Sequence, residues 1–146
     1  MSRRSRAREV VLQVLYQDDL NPQHDLHEAD QFLARRLGHD APLVEFARGI
    51  LSGVRRNRAE LDQILAAKAD NWSLARMAAT DRNVLRLGAF EILFTDTPGR
   101  VSINEAVELA KRYGARSSAP FVNGILDRIL QDRILQDKAT GQKKSN

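Results

Sequence analysis

The chain has 146 residues and no cysteine, which suits one compact domain and excludes disulfides, thiolate metal sites and cysteine nucleophiles. No apolar run approaches the ~20 residues of a membrane span, and the N-terminus lacks the apolar core of a signal peptide, so we expect a cytoplasmic protein without membrane contact. The net charge is +4, but seven of the 23 basic residues lie in residues 1–8 and 138–146, which hold no acidic residue. This distribution argues against a protein that binds polyanions over its whole surface.

Helical periodicity runs through nearly the whole chain, and the two-residue alternation of a strand is missing. The first helix is predicted over residues 5–20, with Ser5 as its N-cap. A second, shorter helix covers residues 26–37. A third helix is predicted to run without a break over residues 43–69, because apolar side chains recur there at helical spacing.

The second half of the chain is built around a helix predicted over residues 80–95, whose apolar residues cover most of its circumference. Thr80 is its predicted cap, and Ser73 is predicted to cap a short turn before it. Ser102 and Glu105 have the spacing of a capping box, which places the start of the next helix at Ser102.

The last helix is predicted to start near Ser118, and it contains the sequence DRILQ twice in tandem over residues 127–136. We interpret this repeat as a short duplication that lengthens the helix, because a five-residue period does not match the helical repeat. Residues 137–146 are predicted to form a basic, disordered tail. The sequence therefore predicts an all-α fold of about seven helices, with one compact domain over residues 1–136.

Residue patterns with catalytic or metal-binding chemistry are scarce. His24 and His27 stand three residues apart beside Asp25 and Glu28, a spacing that can imitate a metal site. No third and fourth ligand is evident, so the favoured interpretation is a solvated helix start, and we predict no metal and no cofactor. Phosphate-binding glycine loops and nucleophile elbows are also missing from the sequence, which indicates a protein that is not an enzyme.

The N-terminal sequence SRRSRARE places four arginines where a helix begins, namely Arg3, Arg4, Arg6 and Arg8. Positive charge at a helix N-terminus is unfavourable, because the macrodipole is positive there as well. A solvated, frayed terminus is one explanation, and contact with an anionic membrane is another. We favour RNA binding, because guanidinium groups held by a well-patterned helix can reach phosphates.

A second candidate surface is the segment YGARSSAPFVNG, residues 113–124, which joins two predicted helices. Tyr113 and Arg116 lie near a helix end and in the loop, where they are candidates for RNA contact. Phe121 is a weaker candidate, because an aromatic residue in the first turn of a helix is more often a core anchor.

Three motifs together carry a resemblance to a known family. RRSRAREVVLQVLYQ, TDRNVLRLGAFEILF and VSINEAVELAKRYG…PFVNGILDRIL match the NusB family of bacterial transcription antitermination factors in order and spacing, over about residues 3–131. The resemblance implies an all-helical fold of two packed helical bundles. It also implies binding to the boxA element of nascent ribosomal RNA, jointly with the small-subunit ribosomal protein NusE, within the RNA polymerase antitermination complex.

The resemblance also assigns candidate site residues. It places the four N-terminal arginines in the RNA surface, with the loop before FVNG nearby. Tyr16 and Asp81 match positions that face NusE in the family. Without the resemblance, Tyr16 simply ends a core stripe and Asp81 stabilises the N-terminus of its helix.

Two classes of function remain open from the sequence. The first is an RNA-binding adaptor that recognises a short single-stranded element, with NusE completing the site. The second is a self-associating helical module for protein–protein interaction, with a basic but idle terminus. The same fold occurs as the N-terminal domain of ribosomal RNA methyltransferases, but no catalytic domain follows here, so we expect no such activity. The oligomeric state, including a homodimer, is left open.

Overall fold

The fold is all-helical in the computed structural model, which describes residues 2–70 and 73–141. These residues form seven α-helices and one 3₁₀ turn, and no strand. The helices are α1 (Arg3–Leu20), α2 (Leu26–Arg36), α3 (Ala41–Arg56), α4 (Arg58–Lys68), α5 (Ala79–Phe94), α6 (Gly99–Tyr113) and α7 (Ser118–Thr140), with the 3₁₀ turn at Leu74–Arg76 between α4 and α5. None of the helices in these two ranges is both long enough and apolar enough to span a membrane.

The chain divides into two compact units, Met1–Arg56 and Asn57–Asn146. In the first unit, α1 packs against α3 and α2. The buried stripe of α1 includes Ala7, Val10, Val11 and Val14, which recur at the spacing of one helix face. This burial removes apolar surface from water and holds the N-terminal helix against its two neighbours.

The predicted helix over residues 43–69 was wrong, because it is two helices that break at Asn57. The buried residues Val54 and Leu61 lie seven positions apart, so the apolar spacing continues through the break and conceals it. Asn57 lies between the two helices, consistent with the preference of asparagine for helix starts. The boundary between the two units falls at the same place.

In the second unit, α5 packs against α4, α6 and α7, as its nearly all-round apolar surface predicted. Arg86 of α5 is also buried, and its guanidinium donates to both carboxylate oxygens of Asp62 at 2.7 and 3.0 Å. A third bond runs from Arg86 to the side chain of Asn83 at 3.0 Å. A charge inside the unit is therefore paired and hydrogen-bonded, as burial requires.

Three predicted helix caps were wrong. The N-cap of α1 is Ser2, whose hydroxyl accepts from the backbone N–H of Ser5 at 3.0 Å. Helix α5 begins one residue before Thr80, and α6 begins at Gly99 directly after Pro98. Ser102 therefore lies inside α6, where its hydroxyl donates to the carbonyl of Pro98 at 3.4 Å, and it forms no capping box. Pro98 favours a helix start at Gly99 rather than at Ser102. Its ring fixes its own φ angle, and proline is well tolerated at the start of a helix.

Helix α7 continues to Thr140, four residues past the predicted end of the domain at residue 136. The first DRILQ copy buries Ile129 and Leu130, whereas Leu135 in the second copy is 65% exposed. The second copy thus extends the helix beyond the apolar stripe, as the mismatch of periods predicts. Residues 142–146 of the predicted tail lie outside the described residues, as do residues 71 and 72, which precede the turn that Ser73 was predicted to cap.

Candidate nucleic-acid interface

The four N-terminal arginines all lie in the first turns of α1, because the helix begins at Arg3 rather than at Ser5. They are therefore presented by an ordered, capped helix packed on its own unit, and not by a frayed terminus. No acidic residue in the first turn offsets their charge. This arrangement opposes the helix macrodipole, and so it calls for an explanation other than helix stability.

Three of the four arginines are exposed, namely Arg3, Arg4 and Arg6. Arg3 forms a salt bridge with Asp40, the residue before α3, while its side chain stays 70% exposed. Arg4 lies over the ring of Phe46, with its guanidinium carbon 4.3 Å from the ring centroid. Arg6 donates to the backbone carbonyl of Arg36 at 3.2 Å. Each guanidinium has five N–H donors, so one such contact orients it without exhausting its capacity to bind phosphate.

Arg8 differs from the other three, because it is only 3% exposed. Its guanidinium carbon lies 5.3 Å from the centroid of the same Phe46 ring. The half-buried ring of Phe46, which lies on α3, thus contacts two arginines of α1. This cation–π arrangement fixes the side chains beside it.

Two further arginines, Arg35 and Arg36, end α2, and no motif in the sequence marks them as functional. Arg35 is exposed. Arg36 lies over the ring of Phe32 at 5.5 Å and donates to the side-chain oxygen of Gln13 at 3.2 Å. Cations are favoured at a helix C-terminus, which is the ordinary explanation for an arginine pair before a glycine turn. The contact between Arg6 and the carbonyl of Arg36 shows that this pair lies beside the N-terminal arginines.

A cleft of about 640 Å³ lies between α1 and α2 in the first unit. Glutamine side chains line it from both helices, together with the ring of Phe32 and the exposed Arg35. Two acidic residues from the start of α2, Asp25 and Glu28, line it as well. The cleft wall therefore combines polar groups that donate and accept with one aromatic ring and the apolar side chains of Val14 and Ala29.

Asp18 holds the far end of α1 to α3. Its carboxylate accepts two hydrogen bonds from Arg55, at 2.7 and 2.9 Å, and lies 2.6 Å from the Nε2 atom of His24. Burial raises the pKa of Asp18, but the hydrogen bonds from Arg55 and His24 outweigh it and hold that pKa below its ordinary value. His24 is therefore engaged with Asp18, and the part of the chain that the structure describes contains no group of three or more metal-ligating side chains.

The loop candidates lie in the second unit, around the turn between α6 and α7. Tyr113 is 38% exposed, Arg116 is exposed and Phe121 is half-buried. Ser118 shapes the turn, since its hydroxyl accepts from the backbone N–H of Ala115 at 2.9 Å. Gly114 is required there, because a Cβ atom at this position would lie 2.5 Å from the Ser118 hydroxyl and 2.8 Å from the carbonyl of Ala110.

The two partner candidates occupy different units. Tyr16 lies on α1 and is 37% exposed, so it is accessible at the surface of the first unit. Asp81 lies in the first turn of α5, where the macrodipole favours its charge. Its Oδ1 atom is buried and accepts no hydrogen bond from any described residue.

Comparison with known proteins decides the family. The model of the NusB family matches residues 5–131, which is most of the chain. The chain belongs to the NusB family. The family match begins at Ser5 and thus includes two of the four arginines, Arg6 and Arg8.

Curated relatives and solved structures agree with the NusB assignment. The transcription antitermination protein NusB of Anaeromyxobacter dehalogenans (strain 2CP-1) is 45% identical over 128 residues, covering 88% of this chain and 90% of that protein. Its counterpart in Desulfitobacterium hafniense (strain DCB-2) is 45% identical over 140 residues, covering 94% of both. The structure of T. maritima NusB matches with a TM-score of 0.80 at 40% identity, covering 90% of this chain and 92% of that one.

A further solved structure is a complex of the antitermination factors NusB and NusE with double-stranded RNA. One of its chains matches with a TM-score of 0.76 at 26% identity, covering 90% of this chain and 98% of that one. The predicted NusB resemblance and the all-α fold are thus confirmed.

Proposed function

We propose that this protein is a non-enzymatic RNA-binding transcription antitermination factor that binds boxA of nascent ribosomal RNA together with NusE, in the cytoplasm. The observation that carries the proposal is the set of exposed arginines on the first turns of an ordered helix. Its relatives are named transcription antitermination proteins, and a structural neighbour is complexed with NusE and RNA. The bound complex helps to modify elongating RNA polymerase.

The N-terminal arginines have divided roles in this proposal. Arg3, Arg4 and Arg6 contact phosphates directly, because their side chains are exposed. Arg8 acts through Phe46, whose ring it shares with Arg4, and it positions the neighbouring guanidinium. Three phosphate contacts on a single strand predict a salt slope of about −2, or a roughly 20-fold loss of affinity between about 50 and 200 mM salt.

The remaining candidates supply specificity. Phosphate contacts fix the position of a strand without reading its sequence. Tyr113, Arg116 and Phe121 contact bases, since aromatic rings and guanidinium planes stack on unpaired bases. Tyr16 and Asp81 contact NusE.

Equilibrium binding of a boxA RNA, a scrambled RNA and an RNA duplex, each with and without NusE, tests the function. The wild type is compared with an Arg3→Ala/Arg4→Ala/Arg6→Ala variant and with a charge-matched control, Arg56→Ala/Arg58→Ala/Arg76→Ala, whose arginines are exposed elsewhere. We expect NusE to strengthen boxA binding selectively, and only the N-terminal variant to lose affinity for every RNA. Flat, weak binding that neither salt nor the N-terminal variant changes would instead indicate a protein–protein interaction module.

A further inference from the structure

The cleft between α1 and α2 is a second feature of the first unit that points to a nucleotide. Gln13 and Gln17 line it from α1, and Gln31, Phe32 and Arg35 line it from α2. Its volume of about 640 Å³ lies in the range of small-molecule sites.

A chain of contacts joins this cleft to the N-terminal arginines. Arg6 donates to the carbonyl of Arg36, and Arg36 donates to the side chain of Gln13 in the cleft wall. The guanidinium carbon of Arg36 also lies 5.5 Å from the centroid of the Phe32 ring, the aromatic member of the wall, while Arg36 itself does not line the cleft. A rise of ~1.5 Å per residue places Gln13 about 10 Å along α1 from Arg6, which a short stretch of an extended strand can bridge.

The lining chemistry suits an unpaired base. Each glutamine amide presents both a donor and an acceptor, as the edges of bases do. The ring of Phe32 offers a surface for stacking, and single-stranded RNA is held in this way by many proteins. The exposed Arg35 can contact the phosphate of the same nucleotide.

The acidic residues of the cleft determine at which end the phosphate of the nucleotide lies. Asp25 and Glu28 belong to the start of α2, and Arg35 belongs to its end. Phosphate is repelled by the two carboxylates and attracted by Arg35, so the backbone lies at the Arg35 end. The base then points inward between the glutamines and the ring.

The structure assigns the α1–α2 cleft as a nucleotide subsite, in which one unpaired base of the bound RNA stacks on Phe32 while Arg35 contacts its phosphate. This inference rests on the proposed RNA binding and adds a base-reading site to the first unit. No residue of the loop 113–124 takes part in it.

Phe32→Leu and Arg35→Ala separate the two contacts. We expect Phe32→Leu to weaken boxA binding about tenfold with an unchanged salt slope, because it removes stacking and no phosphate contact. Arg35→Ala should reduce the magnitude of the slope by about 0.7, whereas the control Arg56→Ala, an exposed arginine outside the cleft, should leave it unchanged. Circular dichroism and thermal unfolding verify that each variant is folded.

Abasic RNA identifies the nucleotide in the cleft. A series of boxA RNAs, each with one base removed, is titrated with the wild type and with Phe32→Leu. At one position, the loss of the base should weaken wild-type binding about tenfold and add nothing to the effect of Phe32→Leu. If Phe32→Leu does not fold, the exposed Gln17 replaces it as Gln17→Ala, with an expected loss of about threefold.

The results distinguish failure of the subsite from failure of the proposed function. If cleft variants bind every RNA as the wild type does while the triple N-terminal arginine variant is weakened, the subsite is refuted and the proposed function stands. Cleft variants that lose affinity for NusE alone would show that a protein occupies the cleft, which also refutes the subsite. RNA binding that is absent from the wild type refutes both.

Discussion

The guanidinium of Arg4 lies 4.3 Å above the centroid of the Phe46 ring. The guanidinium carbon of Arg8 lies 5.3 Å from the centroid of the same ring. Arg8 is buried, whereas Arg4 is exposed. One aromatic side chain of α3 thus fixes two arginines of α1. The exposed arginine is thereby oriented before it meets RNA, which reduces the entropy lost on binding.

Replacement of the ring should therefore weaken RNA binding without changing the number of phosphate contacts. We expect Phe46→Leu to lower the affinity about two- to fivefold, which corresponds to the roughly 0.5–1 kcal/mol of an exposed cation–π contact. The salt slope should stay the same. Fluorescence anisotropy at several salt concentrations measures both quantities, with Phe94→Leu, at a half-exposed ring of the second unit, as the control. A changed slope would show that Phe46→Leu displaces a phosphate contact.

Arg6 and Arg8 should give opposite results. Arg6→Ala removes an exposed guanidinium, so we expect the magnitude of the salt slope to fall by about 0.7 with little change in stability. Arg8→Ala removes a buried side chain, so we expect a loss of about 1–3 kcal/mol in the free energy of unfolding and no change of slope. Urea unfolding and salt-dependent binding are measured on both variants. If Arg8→Ala changes the slope as Arg6→Ala does, Arg8 reaches a phosphate in the complex.

The Asp18–Arg55 contact predicts a pH-dependent stability. The pKa of Asp18 is lower in the native state than in the unfolded chain. Its stabilising contribution is therefore complete above about pH 4 and is lost as the pH falls through the lowered native pKa. We expect Asp18→Asn to cost about 2 kcal/mol at pH 7, and the difference from the wild type to shrink below pH 4. A difference that persists unchanged at pH 2 would contradict the ionic role of Asp18.

Gly114 should not tolerate a side chain. A Cβ atom there would lie within 2.8 Å of a backbone carbonyl and closer still to Ser118. We expect Gly114→Ala to reduce the free energy of unfolding by about 1–3 kcal/mol and to disturb the turn that carries the loop candidates. Gly124→Ala is the control, since nothing lies within 4 Å of a Cβ atom at that helical position. The control should gain up to about 1 kcal/mol from helix propensity. Equal thermal stability of the two variants would exclude the steric argument.

The sequence by itself determined the all-α class, the apolar faces of most helices, the family and the position of the N-terminal arginines. These properties are local, because the spacing of apolar residues along one helix defines the face that it buries. The charge pattern is equally local, since it needs no knowledge of neighbouring helices.

Only the tertiary structure decided which arginine is buried and which helices are separate. Arg6 and Arg8 look alike in the sequence, but Arg8 lies against Phe46, a residue 38 positions away, and Arg6 meets the end of α2. The break at Asn57 was equally invisible, because the apolar spacing continues across it. The cleft exists only where α1 and α2 meet. Its lining residues come from two helices, so no sequence motif groups the glutamines with Phe32 and Arg35. The exposure of a side chain depends on which residues of other helices pack against it. The spacing of apolar residues along one helix does not specify those residues.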